Sequence, residues 1–148
     1  KMNGMMGMFG SINLMSGSSL GLAFTFYDRA SGERLLLPHL TLTFFDLDTG
    51  LHGKSKESIT LSGFTKYYTT QHTEVGVKTS SRKTTFSATK YGNAQDNPKD
   101  PMALTELQKN RAVSVTYHDL EVLKVTLAAS SGKGPRFFTF VASPSLKC

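Results

Sequence analysis

A single cysteine, Cys148 at the last position, excludes any disulfide within the chain. The fold therefore rests on packing, which suits a cytosolic compartment and equally a secreted or lumenal one. Tryptophan is missing altogether. Long apolar runs are missing too: no stretch reaches the roughly eighteen residues that a membrane-spanning helix needs. Catalytic signatures are absent in the same way. There is no GxSxG, no P-loop and no GxGxxG after a strand, and no two of His39, His52, His72 and His118 show the spacing of a metal pair. Each histidine reads as a surface or turn residue. Asp28, Asp46, Asp48, Glu57 and Glu121 are the acids from which a glycosidase pair would be drawn, and no spacing selects two of them. The expectation is a protein that is not an enzyme, with a carbohydrate-active hydrolase on the same fold as the second alternative.

What is present fits one domain. A chain of 148 residues can bury a sizeable core, and ten Phe, five Tyr and many Thr, Val and Leu favour strands over helices. Net charge is +6 and the isoelectric point is about 9.5, which attracts acidic partners over long range. The basic residues are scattered from Lys54 to Arg136, with only Arg82 and Lys83 adjacent, and no basic block interleaves with aromatics. The predicted partner is thus a protein or an anionic matrix or polysaccharide, and no nucleic acid is expected.

Period-two alternation dominates the chain. It places Leu20, Leu22, Phe24 and Phe26 on one face of a strand, Leu40, Leu42 and Phe44 on another, then Ile59 with Leu61 and Val75 with Val77. Later rows are Val113, Val115 and Tyr117; Leu123, Val125 and Leu127; and Phe138 with Phe140. The one helical candidate is DPMALTELQKN, with Asp100 as cap, Pro101 in the first turn and an end near Asn110. About eight strands and one short helix in a crossover loop predict an all-β fold, an antiparallel β-sandwich or jelly roll, over residues 20–142.

The flanks read differently. Residues 1–19 begin KMNGMMGMFGSINLM, apolar but interrupted by glycine and without the continuous core of a signal peptide. They predict an extended arm whose removal leaves the domain folded, with Met5, Met6, Met8 and Phe9 docking on the domain or a partner. Lys1 in place of Met suggests that something upstream was removed or not included. Residues 143–148 are expected to be a tail.

The stretch LTLTFFDLDTG, Leu40 to Gly50, carries the chemistry. Asp46 and Asp48 follow the apolar face of Leu40, Leu42 and Phe44, and burying them unpaired costs several kcal/mol. Three outcomes answer that cost: the strand leaves the core at Asp46, a bulge at Phe44 and Phe45 re-aims it, or a cation neutralises the pair. Asp46, Asp48, Gly50, His52 and Glu57 fall at positions 1, 3, 5, 7 and 12 of a calcium-loop register. Leu51 stands where such a loop wants glycine, and the flanks read as strands. Asp46, Asp48 and Glu57 are thus the candidate calcium ligands. Asn93, Asp96, Asn97 and Asp100 form a second oxygen-rich loop that joins Asp46 and Asp48 if the fold brings them together. The plainer reading is a solvated hairpin balanced by Lys54 and Lys56. Tyr67, Tyr68 and Tyr91 are candidates to stack on sugar rings, or simply cross-strand packing residues.

FFDLDTG, then ESITLSGF, YGNAQDNPKDP, LTELQKNRAVSV and GKGPRFFTF in that order resemble a β-sandwich module of predicted secreted or surface proteins of algae and other protists. The resemblance spans most of residues 20–142. It implies a non-catalytic binding module at the cell surface or outside the cell. For a photosynthetic source it implies an alternative, a small accessory subunit in the thylakoid lumen or another lumenal compartment, peripherally associated with a membrane complex through the N-terminal arm and the basic surface.

Overall fold

The alternating rows become the two inner faces of a β-sandwich in the computed structural model, which describes residues 3–145. In chain order the strands are β1 (Gly4–Met6), β2 (Phe9–Met15), β3 (Ser19–Thr25), β4 (Leu37–Phe45), β5 (Glu57–Ser62), β6 (Lys66–Tyr68), β7 (Val75–Ser80), β8 (Lys83–Ala88), β9 (Val113–Leu120), β10 (Val122–Ala129) and β11 (Pro135–Ser145). Among the described residues the one α-helix, α1 (Glu106–Asn110), lies in the crossover from β8 to β9, and a 3-10 turn spans Leu51–Gly53 after β4. One sheet has the order β1-β2-β11-β4-β9-β6 and the other β3-β10-β5-β8-β7, and all neighbours named within them are antiparallel. No helix among the described residues is long and apolar enough to cross a membrane.

Most inward residues come from the predicted rows, although Val77 of one row is exposed and the fully buried Phe86 belonged to none. Leu40, Leu42 and Phe44 of β4 meet Ile59 and Leu61 of β5, with Phe86, Val113, Val115, Val125, Leu127 and Phe138 in the same buried cluster. Each such side chain contributes about 1.5–3 kcal/mol of burial. The helix ends at Asn110 as expected, but its cap is Thr105 and not Asp100. Thr105 Oγ1 accepts the Gln108 N–H at 3.3 Å while Gln108 Oε1 accepts the Thr105 N–H at 3.0 Å, a capping box. Asp100 instead accepts the Met102 N–H locally.

The N-terminal residues depart most from expectation. Gly4–Met15 is no arm: β2 pairs with β11 from Met15↔Pro135 to Gly10↔Phe140, and β1 adds outside it. The physical reason is that Phe9, Ser11 and Leu14 face inward or under neighbours and are buried. Phe9 packs edge-on against Phe45 with ring centres 5.5 Å apart, in a second small cluster with Ala112. Phe9 is therefore an internal residue and not a docking one, while Met5, Met6 and Met8 are exposed. At Gly10 a Cβ would overlap the Phe140 ring, so glycine lets the two strands close. The expected tail is also partly strand, because β11 runs to Ser145 against His39; residues 146–148, with Cys148, lie outside the described residues.

β3 is an edge strand, so its inward residues Leu22 and Phe24 pack on the core yet stay half-buried. His39 and His118, isolated in sequence, sit side by side across β4 and β9 with ring centres 5.1 Å apart.

A chain shortened to begin after Met15 loses β1 and β2, uncovers Phe45 and Phe138, and should melt on the order of 10 °C lower or without a cooperative transition, as read by circular dichroism. An unchanged melt would show that the two strands are only draped on the domain.

Candidate acidic cleft at one end of the sandwich

Four inward rows run into charge at the same end of the sandwich. Asp46 follows Phe44, Glu57 precedes Ile59, Arg111 precedes Val113 and Arg136 precedes Phe138, each two residues from a buried apolar neighbour. β4 stops at Phe45 and Asp46 takes a left-handed conformation, φ 60°, a region open to aspartate at modest cost. Chain direction changes there, and the Leu47 N–H donates to the Arg111 carbonyl at 3.0 Å. β4 thus ends at Phe45 without a bulge, but the chain does not leave the core there, because Leu47, Asp48 and Thr49 are all buried.

The loops after β4 and β8 are tied together behind this turn. The Thr49 N–H donates to the Lys90 carbonyl at 2.8 Å and the Gly92 N–H to the Thr49 carbonyl at 3.0 Å. A Cβ at position 92 would overlap the Asp48 carboxylate, so glycine there lets the second loop close over the first. Gln108 holds that loop from beneath: its Nε2 donates to the carbonyls of Gln95 and Asn97, both at 3.2 Å. Asp96, fully buried, accepts the Asn93 N–H at 2.9 Å and pairs with Arg111.

Asp46, Asp48 and Asp96 converge, one oxygen of each lying within 4.8 Å of the others. Arg136 bridges Asp48 and Glu57, its Nε donating to Glu57 at 2.9 Å. Arg111 pairs with Asp96 and with Glu74, the latter at 2.8 Å. Five carboxylates therefore meet two guanidiniums, and the end carries a negative surplus. Burial first, then the charge of Asp96, pushes the Asp46 carboxyl up to about 7, against the opposing pull of Arg136 and Arg111. Burial, with the charges of Asp46 and Asp96 behind it, raises Glu57 well above the usual range. Asp46 Oδ1 is buried without a hydrogen-bond partner among the described residues.

The cleft over these groups is about 340 Å³ and is lined by Asp46, Asp48, Glu57, Arg136, Tyr91 and Phe137, with Asn93 and Asn97 beside them. Of the candidate metal ligands, Asp46 and Asp48 face a shared point and Glu57 is not in that group; Asp48, like Glu57, also pairs with Arg136. Asp96 takes the third place, fully buried, paired with Arg111 and not itself lining the cleft. His52 and Asp100 are not among the residues lining the cleft. Lys54 and Lys56 are exposed, and the balancing cations are Arg136 and Arg111. Tyr91 is exposed on the rim; Tyr67 and Tyr68 lie instead on β6, where Tyr67 packs edge-on to Phe86 at 5.2 Å and Lys66 sits over Tyr68. No family model, curated protein or solved structure matches the chain.

Two outcomes follow. In chelator, folded Asp46 keeps a proton that the unfolded chain releases near its ordinary value of 3.8, so stability should fall as pH rises from about 4 through about 7. Asp46→Asn should flatten that slope in urea titrations, and a slope equal to wild type would remove Asp46 as its source. Arg136→Met leaves Asp48 and Glu57 without their cation and should cost about 3 kcal/mol in urea unfolding, partly regained in Arg136→Met/Glu57→Gln.

Proposed function

We propose that this chain is a non-catalytic binding module whose acidic cleft holds one calcium ion. The observation that carries this reading is the convergence of Asp46, Asp48 and Asp96 on one point beside an oxygen of Asp46 that has no hydrogen-bond partner among the described residues. Oxygens that share a calcium ion lie 2.3–2.6 Å from it and hence up to about 5 Å from one another, which suits the spacing of the three carboxylates. All three donors are hard oxygens, with the amides of Asn93 and Asn97 nearby and neither sulfur nor imidazole lining the cleft, a set that favours calcium over zinc or copper. The ion offsets most of the negative surplus that two arginines leave.

Arg136 and Arg111 also weaken the site, so the expected dissociation constant is about 10⁻⁴–10⁻³ M, the range of extracellular modules. This reading goes with a cell-surface, extracellular or lumenal setting. Tyr91 and Phe137 on the rim, 57% and 44% exposed, offer flat apolar rings beside the ion. In this reading calcium bridges the cleft to an anionic group of a matrix polysaccharide while a ring stacks on a sugar, and the net charge of +6 draws the polymer in.

A second reading, an accessory subunit docked on a larger membrane complex, is favoured by one observation. Met5, Met6 and Met8 are 76%, 50% and 55% exposed at the free edge of the six-stranded sheet, and flexible methionines suit a protein-docking surface.

Calorimetry and thermal melts with added calcium distinguish these. Saturable one-to-one binding with a higher melting temperature is expected, and loss of both in Asp46→Asn/Asp48→Asn. No heat and no shift at about 10 mM calcium, well above the expected constant, would remove the ion from the account.

A further inference from the structure

A second cavity lies at the other flank of the molecule's interior, between the two sheets where β3 forms the edge of the smaller one. It measures about 210 Å³, and every residue lining it is apolar. Leu22, Phe24 and Phe26 from the β3 side face Leu42, Phe140 and Ala142 across it. Close packing leaves few voids larger than a water in a protein interior, and this one exceeds the roughly 150 Å³ of an engineered apolar cavity that stays dry and binds benzene. No donor or acceptor lines the walls, so water gains nothing there.

Its shape selects among apolar occupants. The lining runs from Leu40 to Phe44 on β4 and from Leu123 to Leu127 on β10, four residue steps or about 13 Å along each strand. With about 30 Å³ for a group the size of a water, such a length leaves room for a single file of carbons and not for a wide ring system. The slot also has a mouth. Leu22, Phe24, Phe26 and Phe140 are half-buried, and Ala142 faces the slot from the inward row of Phe138 and Phe140 yet is exposed, because its side chain is too short to close the lip.

We propose that this inter-sheet slot binds one straight alkyl chain of roughly six to ten carbons, entering beside β3 and lying parallel to the strands, with its polar head left in solvent at the Ala142 lip. The site shares no lining residue with the acidic cleft and does not depend on calcium.

The chain has no tryptophan, so Phe24→Trp supplies a lone indole inside the slot whose emission is read selectively over the five tyrosines. Titration with 1-butanol, 1-hexanol and 1-octanol should blue-shift its emission saturably, with affinity rising on the order of a hundredfold from butanol to octanol as four methylenes are added. In the unmodified protein, octanol should raise the melting temperature and shift the methyl NMR signals of Ile12, Leu22, Leu42, Leu123 and Val125 while leaving Leu51 and Val77 in place. Ala142→Phe should plug the lip, melt no lower than wild type and abolish the response; calcium or chelator should leave it unchanged. Methyl shifts that do not saturate, an equal response in Ala142→Phe, or a concentration-dependent dimer that closes the slot through β3 would overturn the proposal, and the NMR arm decides even if Phe24→Trp does not fold.

Discussion

Carboxylates at the end of a hydrophobic sandwich are the constraint to which the rest of this structure answers. An inward-facing row of leucines and phenylalanines has to end somewhere, and in β4, β5, β9 and β11 it ends in Asp46, Glu57, Arg111 and Arg136. Removing such groups from water costs several kcal/mol each unless partners meet them. The two guanidiniums and the backbone N–H groups of Asn93 and Asp48 meet part of that need. Asp46 is left over, buried by its position and repelled by Asp96, and its raised proton affinity expresses that imbalance. A cation and a proton are the two ways to relieve it, and they compete for the same oxygens.

The parts of the chain with no apparent business in a β-sandwich are accounted for by this end. The short helix and its Gln108 amide hold the 93–97 loop, Gly92 lets that loop lie on Asp48, and the left-handed turn at Asp46 points the next residues back over the core. The opposite design governs the β3 flank, where nothing charged intrudes and the sheets simply fail to fill the space between them. One molecule thus carries a polar cleft at an end and an apolar slot along an edge, each produced by how the inward rows terminate or fall short.

Much of this was legible in period-two alternation. Most strands from β3 onward lie where apolar and polar residues take turns, the exposed Lys-Tyr-Tyr of β6 being an exception, and the oxygen-rich loop around Asp96 was recognisable as a companion to Asp46 and Asp48. Arg136 and Arg111 were not identified, although the same parity reaches them: counting back two residues from Phe138 and Val113 places both on the inward side. What parity lacks is depth, since it does not tell a charged residue at a sandwich end from one in water. β1 and β2 escaped for another reason. Their glycines and methionines show no clean alternation, and their burial comes from Phe45, Phe138 and Phe140, residues more than thirty positions away in the chain. The pairing of His39 with His118 was hidden in the same way by the β4–β9 register.

If charge left over at the end of the sandwich is the organising fact, a crystal grown or soaked in calcium addresses it most directly. A strong peak 2.3–2.6 Å from oxygens of Asp46, Asp48 and Asp96 is expected, with Arg136 still on Glu57. A cleft holding only water under those conditions, with the three carboxylates unmoved, would contradict it.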